Sequence, residues 1–332
     1  MVANVNMNHD RLKVLVTGGA GFIGSHLVDR LMKGNHEVTV IDNLSSGSLR
    51  NIESWLDNKN LKFIKGDLKE TQASQKAAKD AELVFHLAAN PEVRVGETDP
   101  PIHFEENLIV TFRLLESLRK QRSARTIVFA STSTVYGEAL LLPTPEDYGP
   151  PIPISTYGAT KLGCEALISA YAYTFDFRGL ILRLANIVGP RGTIGVVVDF
   201  IDKLKANPKR LEILGDGFQK KSYLYIDDCI DAISFATNEF LSSNEKIEVC
   251  NIGSPDSVTV SRIAEIVAEE MTLSDVDFVF TGGVDGGRGW RGDVKTMLLS
   301  TERLLKQGWR PKYGSEEAVR LTAKKLVEGH DS

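Results

Sequence analysis

The chain has 332 residues, 42% of them apolar and 25% charged, which suits a globular protein with one large α/β domain and a smaller lobe. A net charge of −5 with no basic block argues against nucleic acid as a partner, and no apolar run reaches the ~20 residues needed to span a bilayer. Residues 1–10 lack the apolar core of a signal peptide, and Cys164, Cys229 and Cys250 are odd in number without metal-ligand spacing, so a reducing, cytoplasmic setting without membrane or metal is expected.

In chain order, near-continuous apolar runs predict strands at Lys13–Thr17, Glu37–Ile41, Lys62–Lys65, Leu83–His86, Thr126–Ser131 and Leu180–Leu184. Helical patterns lie between them. The first covers Ser25–Met32. The longest covers Ile102–Arg122, with Leu108, Leu114, Leu115 and Leu118 at helical spacing, and another covers about Thr156–Thr174. Pro143–Pro153 reads as a rigid loop leading into that last helix. The alternation predicts an α/β fold, a Rossmann-type doubly wound parallel sheet. Its expected extent is residues 11–185, with a return excursion at 223–250. After Asn186 the pattern loosens into Gly/Pro-punctuated loops such as Gly189-Pro190-Arg191-Gly192 and Gly215-Asp216-Gly217. Residues 186–222 and 251–330 are therefore expected to form a smaller C-terminal substrate-binding lobe.

The first strand passes directly into Gly18-Gly19-Ala20-Gly21-Phe22-Ile23-Gly24 and then a helix. Glycines 18, 21 and 24 allow a tight turn, close approach to a pyrophosphate and close helix–strand packing, with N-terminal amides aimed at the anion. The next strand ends in Asp42, suited to a pair of ribose hydroxyls and repulsive to a 2′-phosphate. Asn43 follows where an NADP binder would place Arg. This combination predicts NAD as the cofactor.

Tyr157-Gly158-Ala159-Thr160-Lys161 sets a phenol and an ammonium one helical turn apart. A free tyrosine titrates near pH ~10, so about 0.1% is phenolate at neutrality. A cation and an oxidised nicotinamide beside it would stabilise the phenolate. A shift of about three units corresponds to roughly 4 kcal/mol and yields a general base for an alcohol undergoing oxidation. A hydroxyl-rich strand end, Ser131-Thr132-Ser133-Thr134-Val135-Tyr136-Gly137, lies upstream, where parallel strands open into a ligand crevice.

Together with Gly66-Asp67-Leu68, His86-Leu87-Ala88-Ala89, Leu182-Arg183 with Asn186, Gly215-Asp216-Gly217 and Gly292-Asp293-Val294, these motifs resemble those of the extended short-chain dehydrogenases/reductases. Within that group the chain is similar to the NAD-dependent nucleotide-sugar epimerases, nearest the UDP-glucose 4-epimerases, over about Leu12 to Tyr313. The resemblance implies Tyr157 as base and Lys161 as the group that lowers its pKa and holds the nicotinamide ribose. It places Thr132 on the sugar 4-oxygen. It further implies Phe22 and Ile23 amides at the pyrophosphate, Asp67 and Leu68 at the adenine, Leu87, Ala88 and Ala89 on the nicotinamide side, and Asn107 near the cofactor. Asn186 would touch the substrate diphosphate. The implied reaction is epimerisation at C4 of a UDP-hexose through a transient 4-keto sugar, in a homodimer built on the two long helices.

Two departures from the family pattern concern the substrate. Lys221 stands where many relatives carry an Arg on the diphosphate, and loses the bidentate fork. Trp290 replaces the Arg usually two residues before Gly292-Asp293, leaving Arg288 or Arg291 to substitute, with Arg288 chosen. Ser133 follows Thr132 and Thr134 precedes Val135, so the acids that related dehydratases and decarboxylases place there are absent. That favours epimerisation without elimination. Met297, beside the expected sugar C2 group, is flexible and of intermediate size and leaves N-acetyl tolerance open. N-acetylhexosamine or uronic acid substrates, a decarboxylase or reductase activity, and a non-enzymatic NAD-responsive protein stand as alternatives. The last would call for a broken Tyr/Lys pair.

Overall fold

A computed structural model describes Met7 and residues 10–329. Its principal sheet has seven strands: β1 Lys13–Thr17, β2 Glu37–Asp42, β3 Leu61–Lys65, β4 Leu83–His86, β5 Thr126–Thr132, β6 Arg178–Leu184 and β7 Ile247–Ile252. They lie in the order β7-β6-β5-β4-β1-β2-β3. Pairing is parallel from β3 through β2, β1 and β4 to β5. The chain winds outward in one direction from β1 to β3 and in the other from β4 to β7. The crevice beyond the C-terminal ends of β1 and β4 is therefore the switch point where such sheets bind ligands.

Burial on both faces explains why the strands read as near-continuous apolar runs. Leu15, Ile41, Ile64, Val84, Ile127 and Phe129 pack with Leu114, Leu115, Leu118, Cys164 and Ile168 of two helices. Their neighbours Val14, Val16, Val38, Val40, Phe85 and Val128 are also buried, and the two-residue period puts them on the opposite face.

The chain divides into two compact units. The first comprises residues 1–132, 159–183 and 230–250, and the second 133–158, 184–229 and 251–332. Two stretches depart from the expected boundaries. Residues 133–158 leave the sheet after β5 and join the second unit. There Thr144 bridges to Leu299, and Asn251 Nδ2 donates to the Thr144 carbonyl at 2.9 Å. Tyr223–Tyr225 pairs with Asn186–Val188, so the return to the first unit begins only at Ile230. The second unit has its own core, including Phe200, Ile201, Leu211, Ile213, Ile263 and Val267.

The long helix expected over Ile102–Arg122 is not one regular helix. Pro100–His103 and Val110–Gln121 flank a π-helical turn, Phe104–Ile109. Such turns insert a residue and change which side chain faces inward. The residue turned inward here is Asn107, which is 1% exposed. The Tyr157 helix runs Thr156–Phe175. No helix among the described residues is long and apolar enough to cross a membrane. Among the same residues no cluster of His, Cys, Asp and Glu could hold a metal ion, and all three cysteines are buried thiols.

Candidate active site

The glycine turn has a steric rationale at two positions. Gly18 sits at φ +67°, and a Cβ there would lie 2.8 Å from the Ala88 amide nitrogen. A Cβ on Gly24 would lie 2.1 Å from the Gly18 carbonyl oxygen, so only glycine lets the helix start this close to the turn. The helix Phe22–Lys33 has Gly21 as N-cap, which offers no side-chain oxygen to the first-turn amides. Gly21, Phe22 and Ile23 are half-buried, and so are Leu87, Ala88 and Ala89 after β4. The turn and the β4 loop thus line the switch-point crevice with accessible backbone.

Asp42 ends β2, buried, with Oδ2 accepting from the Ala20 amide at 3.0 Å and Oδ1 from the Leu44 amide at 2.8 Å. Each oxygen keeps a further lone pair for a ribose hydroxyl. Exposed Asn43 donates to Asp67 Oδ2 at 3.3 Å, and Asp67 Oδ1 accepts from the Lys69 amide at 2.8 Å. Leu68, expected at the adenine, has its side chain in the core.

His86 leads the His86–Ala89 motif, yet the sequence pattern alone assigns it no role. It is 1% exposed, with Nδ1 2.7 Å from Thr17 Oγ1 and Nε2 2.9 Å from Thr111 Oγ1. Thr17 Oγ1 also accepts from the Leu87 and Ala88 amides, both at 3.2 Å. Thr111 Oγ1 donates to the Asn107 carbonyl at 2.7 Å. One consistent assignment of protons follows: His86 is neutral with its proton on Nε2, Thr111 accepts it, and Thr17 donates to Nδ1. Burial, and secondarily the charge of Lys161, hold the imidazole pKa down to about 3. Asn107 extends the network, accepting from the Asn90 amide at 2.9 Å and donating to Thr160 Oγ1 at 3.2 Å. The β4 loop is thereby tied to the helix bearing Lys161.

Tyr157 opens that helix, half-buried, and Lys161 follows one turn later at 3% exposure. Lys161 Nζ donates to the Ala130 carbonyl at 2.8 Å and lies 4.8 Å from the centre of the Phe129 ring. Burial lowers its pKa to about 8, opposed by the neighbouring Cys164 and Glu165. Thr132 ends β5, buried.

In the second unit, Asn186 lies half-buried in its short strand. Lys221 Nζ is 2.5 Å from Asp293 Oδ1, with Asp293 fully buried, and 5.5 Å from the Trp290 ring. Asp293 Oδ2 also accepts from the Gly289 amide at 3.2 Å. Arg288 pairs with Glu138 at 2.9 Å. The two cations expected to face a diphosphate are thus each held by a carboxylate. The sequence pattern gives Lys221 and Asp293 separately, because they stand 72 positions apart. Met297 is buried in a two-residue strand beside Lys221.

The description NAD-dependent epimerase/dehydratase family matches residues 14–253. The chain belongs to that family. A UDP-glucose 4-epimerase of Mycolicibacterium smegmatis is 36% identical over 67% of the chain and 72% of its own length. A UDP-glucuronic acid decarboxylase 1 of Danio rerio is 31% identical over 94% of the chain and 72% of its own length. A solved UDP-galactose 4-epimerase superposes with a TM-score of 0.86 at 44% identity, covering 96% of this chain and 99% of that one. Other similar solved structures hold NAD or UDP-sugars. Family membership makes NAD the cofactor, and the glycine cradle, the Asp42 carboxylate and the accessible β4 loop fit it.

Proposed function

We propose that the protein interconverts UDP-sugars epimeric at C4, with UDP-glucose and UDP-galactose as the preferred pair. The observation that carries this reading is the helix Thr156–Phe175, where Tyr157 stands one turn from a buried Lys161 whose affinity for its proton is lowered to about 8. A cation that close to neutrality still carries charge at physiological pH and stabilises a phenolate on the same helix face. Bound NAD supplies the hydride acceptor and donor for C4. Tyr157 takes the C4 hydroxyl proton and later returns it. Thr132, at the end of β5, holds the sugar 4-oxygen by a hydrogen bond while the proton moves. Lys161, anchored on the Ala130 carbonyl, keeps its charge beside the phenol and binds the nicotinamide ribose.

The residues after Thr132 favour epimerisation over elimination and decarboxylation. Ser133 and Thr134 provide no carboxylate for chemistry at C5 or C6, and Asn186, Arg288 and the Lys221–Asp293 pair would bind the nucleotide end of the substrate. Holding the substrate by that end leaves the hexose able to turn its other face.

The test is product analysis by chromatography after incubation with UDP-galactose, UDP-N-acetylglucosamine and UDP-glucuronic acid in separate reactions, without added NAD. Conversion of UDP-galactose to UDP-glucose at the highest kcat/KM supports the reading. Faster conversion of either other sugar nucleotide reassigns the substrate, and loss of carbon dioxide from UDP-glucuronic acid reassigns the reaction.

A further inference from the structure

Tyr157, Lys161 and Glu165 fall at i, i+4 and i+8 on one helix, a single stripe along its inward face. Glu165 is 5% exposed. Its carboxylate takes Arg183 in a fork, with Nη2 at 2.7 Å from Oε2 and Nε at 3.1 Å from Oε1. It also accepts a short hydrogen bond from Ser131 Oγ. Ser131 is the residue before Thr132, and the residue before that, Ala130, receives Lys161 Nζ. Two successive residues of β5 are thus clamped to two successive turns of the helix. The clamp ends where the proposed catalytic hydroxyl and ammonium stand.

We propose that Glu165, held by Arg183, is a positioning residue for catalysis. It fixes the end of β5 that carries Thr132 and supplies the negative charge that keeps Lys161 an ammonium in its buried site. The assignment rests on the catalytic roles proposed for Thr132, Tyr157 and Lys161. Its geometric basis is independent of them: no other carboxylate is bonded to both β5 and β6 at this height of the sheet among the described residues. Cys164 and Glu165 on its own helix, His86 on β4 and the Phe129 ring on β5 bear on Lys161, Arg183 on β6 is bonded to Glu165, and Tyr157 stands one turn earlier on the same helix. His86 is neutral and Cys164 is a buried thiol whose pKa is raised, chiefly by burial, so Glu165 is the fixed anion of the group.

A merely structural ion pair behaves differently under substitution. Buried pairs are often replaceable by apolar residues of similar volume at little cost in stability, whereas removing one partner strands the other. The decisive variants are therefore Glu165→Gln alone and Glu165→Met with Arg183→Leu together. Both are compared with wild type and Tyr157→Phe for kcat, KM and their pH dependence. In the folded double variant, kcat is expected to fall on the order of 10- to 100-fold with KM changed less than about threefold, because positioning is lost and not binding. In folded Glu165→Gln the alkaline limb is expected to move to lower pH by on the order of half to one unit, since Lys161 loses its anion while Arg183 keeps its charge, and the double variant, which removes both charges, is expected to shift less. Calorimetric NAD affinity against pH, measured with no sugar present, is expected to show the same displacement. That readout tests Glu165 even where no sugar turns over, and inactive wild type or fully active Tyr157→Phe breaks the catalytic reading instead. A double variant with wild-type kcat and pH limbs overturns the proposal. A double variant that does not fold shows that the pair serves the fold, and overturns it equally.

Discussion

Substituting Gly24 by Ala tests whether the glycine turn is built for a pyrophosphate. The added Cβ would sit 2.1 Å from the Gly18 carbonyl oxygen and 2.8 Å from the Gly19 Cα, both backbone atoms of the same turn. Favourable separations of such atoms are about 3.5–4.0 Å, so relief demands a shift of more than about 1 Å in the helix start. Strain of this kind costs about 1–3 kcal/mol of stability. The larger effect falls on ligand binding, because the first-turn amides of Phe22 and Ile23 move with the helix. Hydrogen bonds to a charged acceptor are worth about 1.5–3 kcal/mol each, so losing two weakens NAD binding by roughly 10² to 10⁴-fold. Gly195→Ala is the control: at φ +111° it strains the backbone of another loop, its Cβ meets nothing within 4 Å and it leaves the glycine turn untouched, so NAD affinity is expected to stay at the wild-type value. Isothermal titration with NAD on protein stripped of nucleotide measures both. A Gly24→Ala variant that stays folded and binds NAD within about threefold of wild type would refute the steric reasoning.

Asp42→Ala removes the acceptor for the ribose hydroxyls and the repulsion of a 2′-phosphate. The ratio of NADP to NAD affinity should rise at least about tenfold, and an unchanged ratio would dissociate Asp42 from cofactor choice. His86 predicts a pH dependence of stability. Its folded pKa, about 3, lies below the unfolded value of 6.5, so the unfolded chain takes up the proton first and stability falls as pH drops from about 6.5 toward 3. Between pH 7.5 and 5 wild type should lose about 2 kcal/mol more than His86→Gln in urea melts, and parallel losses would contradict the buried neutral imidazole. Exposed Phe104 and Phe112 on the interrupted helix, and Tyr173 and Phe175 on the Tyr157 helix, suit a helix-to-helix homodimer. Sedimentation velocity should give a dimer for wild type and a monomer for Phe112→Glu, and a monomeric wild type excludes that arrangement.

The sheet is readable from sequence because buried parallel strands declare themselves: six of its strands, β1 to β6, carry near-continuous apolar runs, broken singly at Thr39, Lys62 and Arg183. The seventh, Ile247–Ile252, is placed only within a return excursion, since Glu248 and Asn251 interrupt its apolar pattern. The π turn at Phe104–Ile109 is hidden because its Leu108 and the leucines 114, 115 and 118 of the following helix keep near-helical spacing, and only the inward turn of Asn107 betrays it. Local motifs such as Gly18–Gly24 and Tyr157–Lys161 are legible because adjacent residues carry their chemistry. Partnerships across long separations are not. Lys221 with Asp293, Arg288 with Glu138, and Glu165 with Arg183 and Ser131 are products of tertiary pairing that no short pattern encodes.

The most direct test of epimerisation uses UDP-galactose carrying deuterium at C4, with no added NAD and with wild type beside Tyr157→Phe. Wild type is expected to yield UDP-glucose that keeps the deuterium at C4, because the hydride leaves and returns within one active site, and Tyr157→Phe is expected to be slower by about 10² to 10⁴-fold. Loss of deuterium to solvent, or a Tyr157→Phe variant as active as wild type, would contradict hydride removal and return at C4 with Tyr157 as the base.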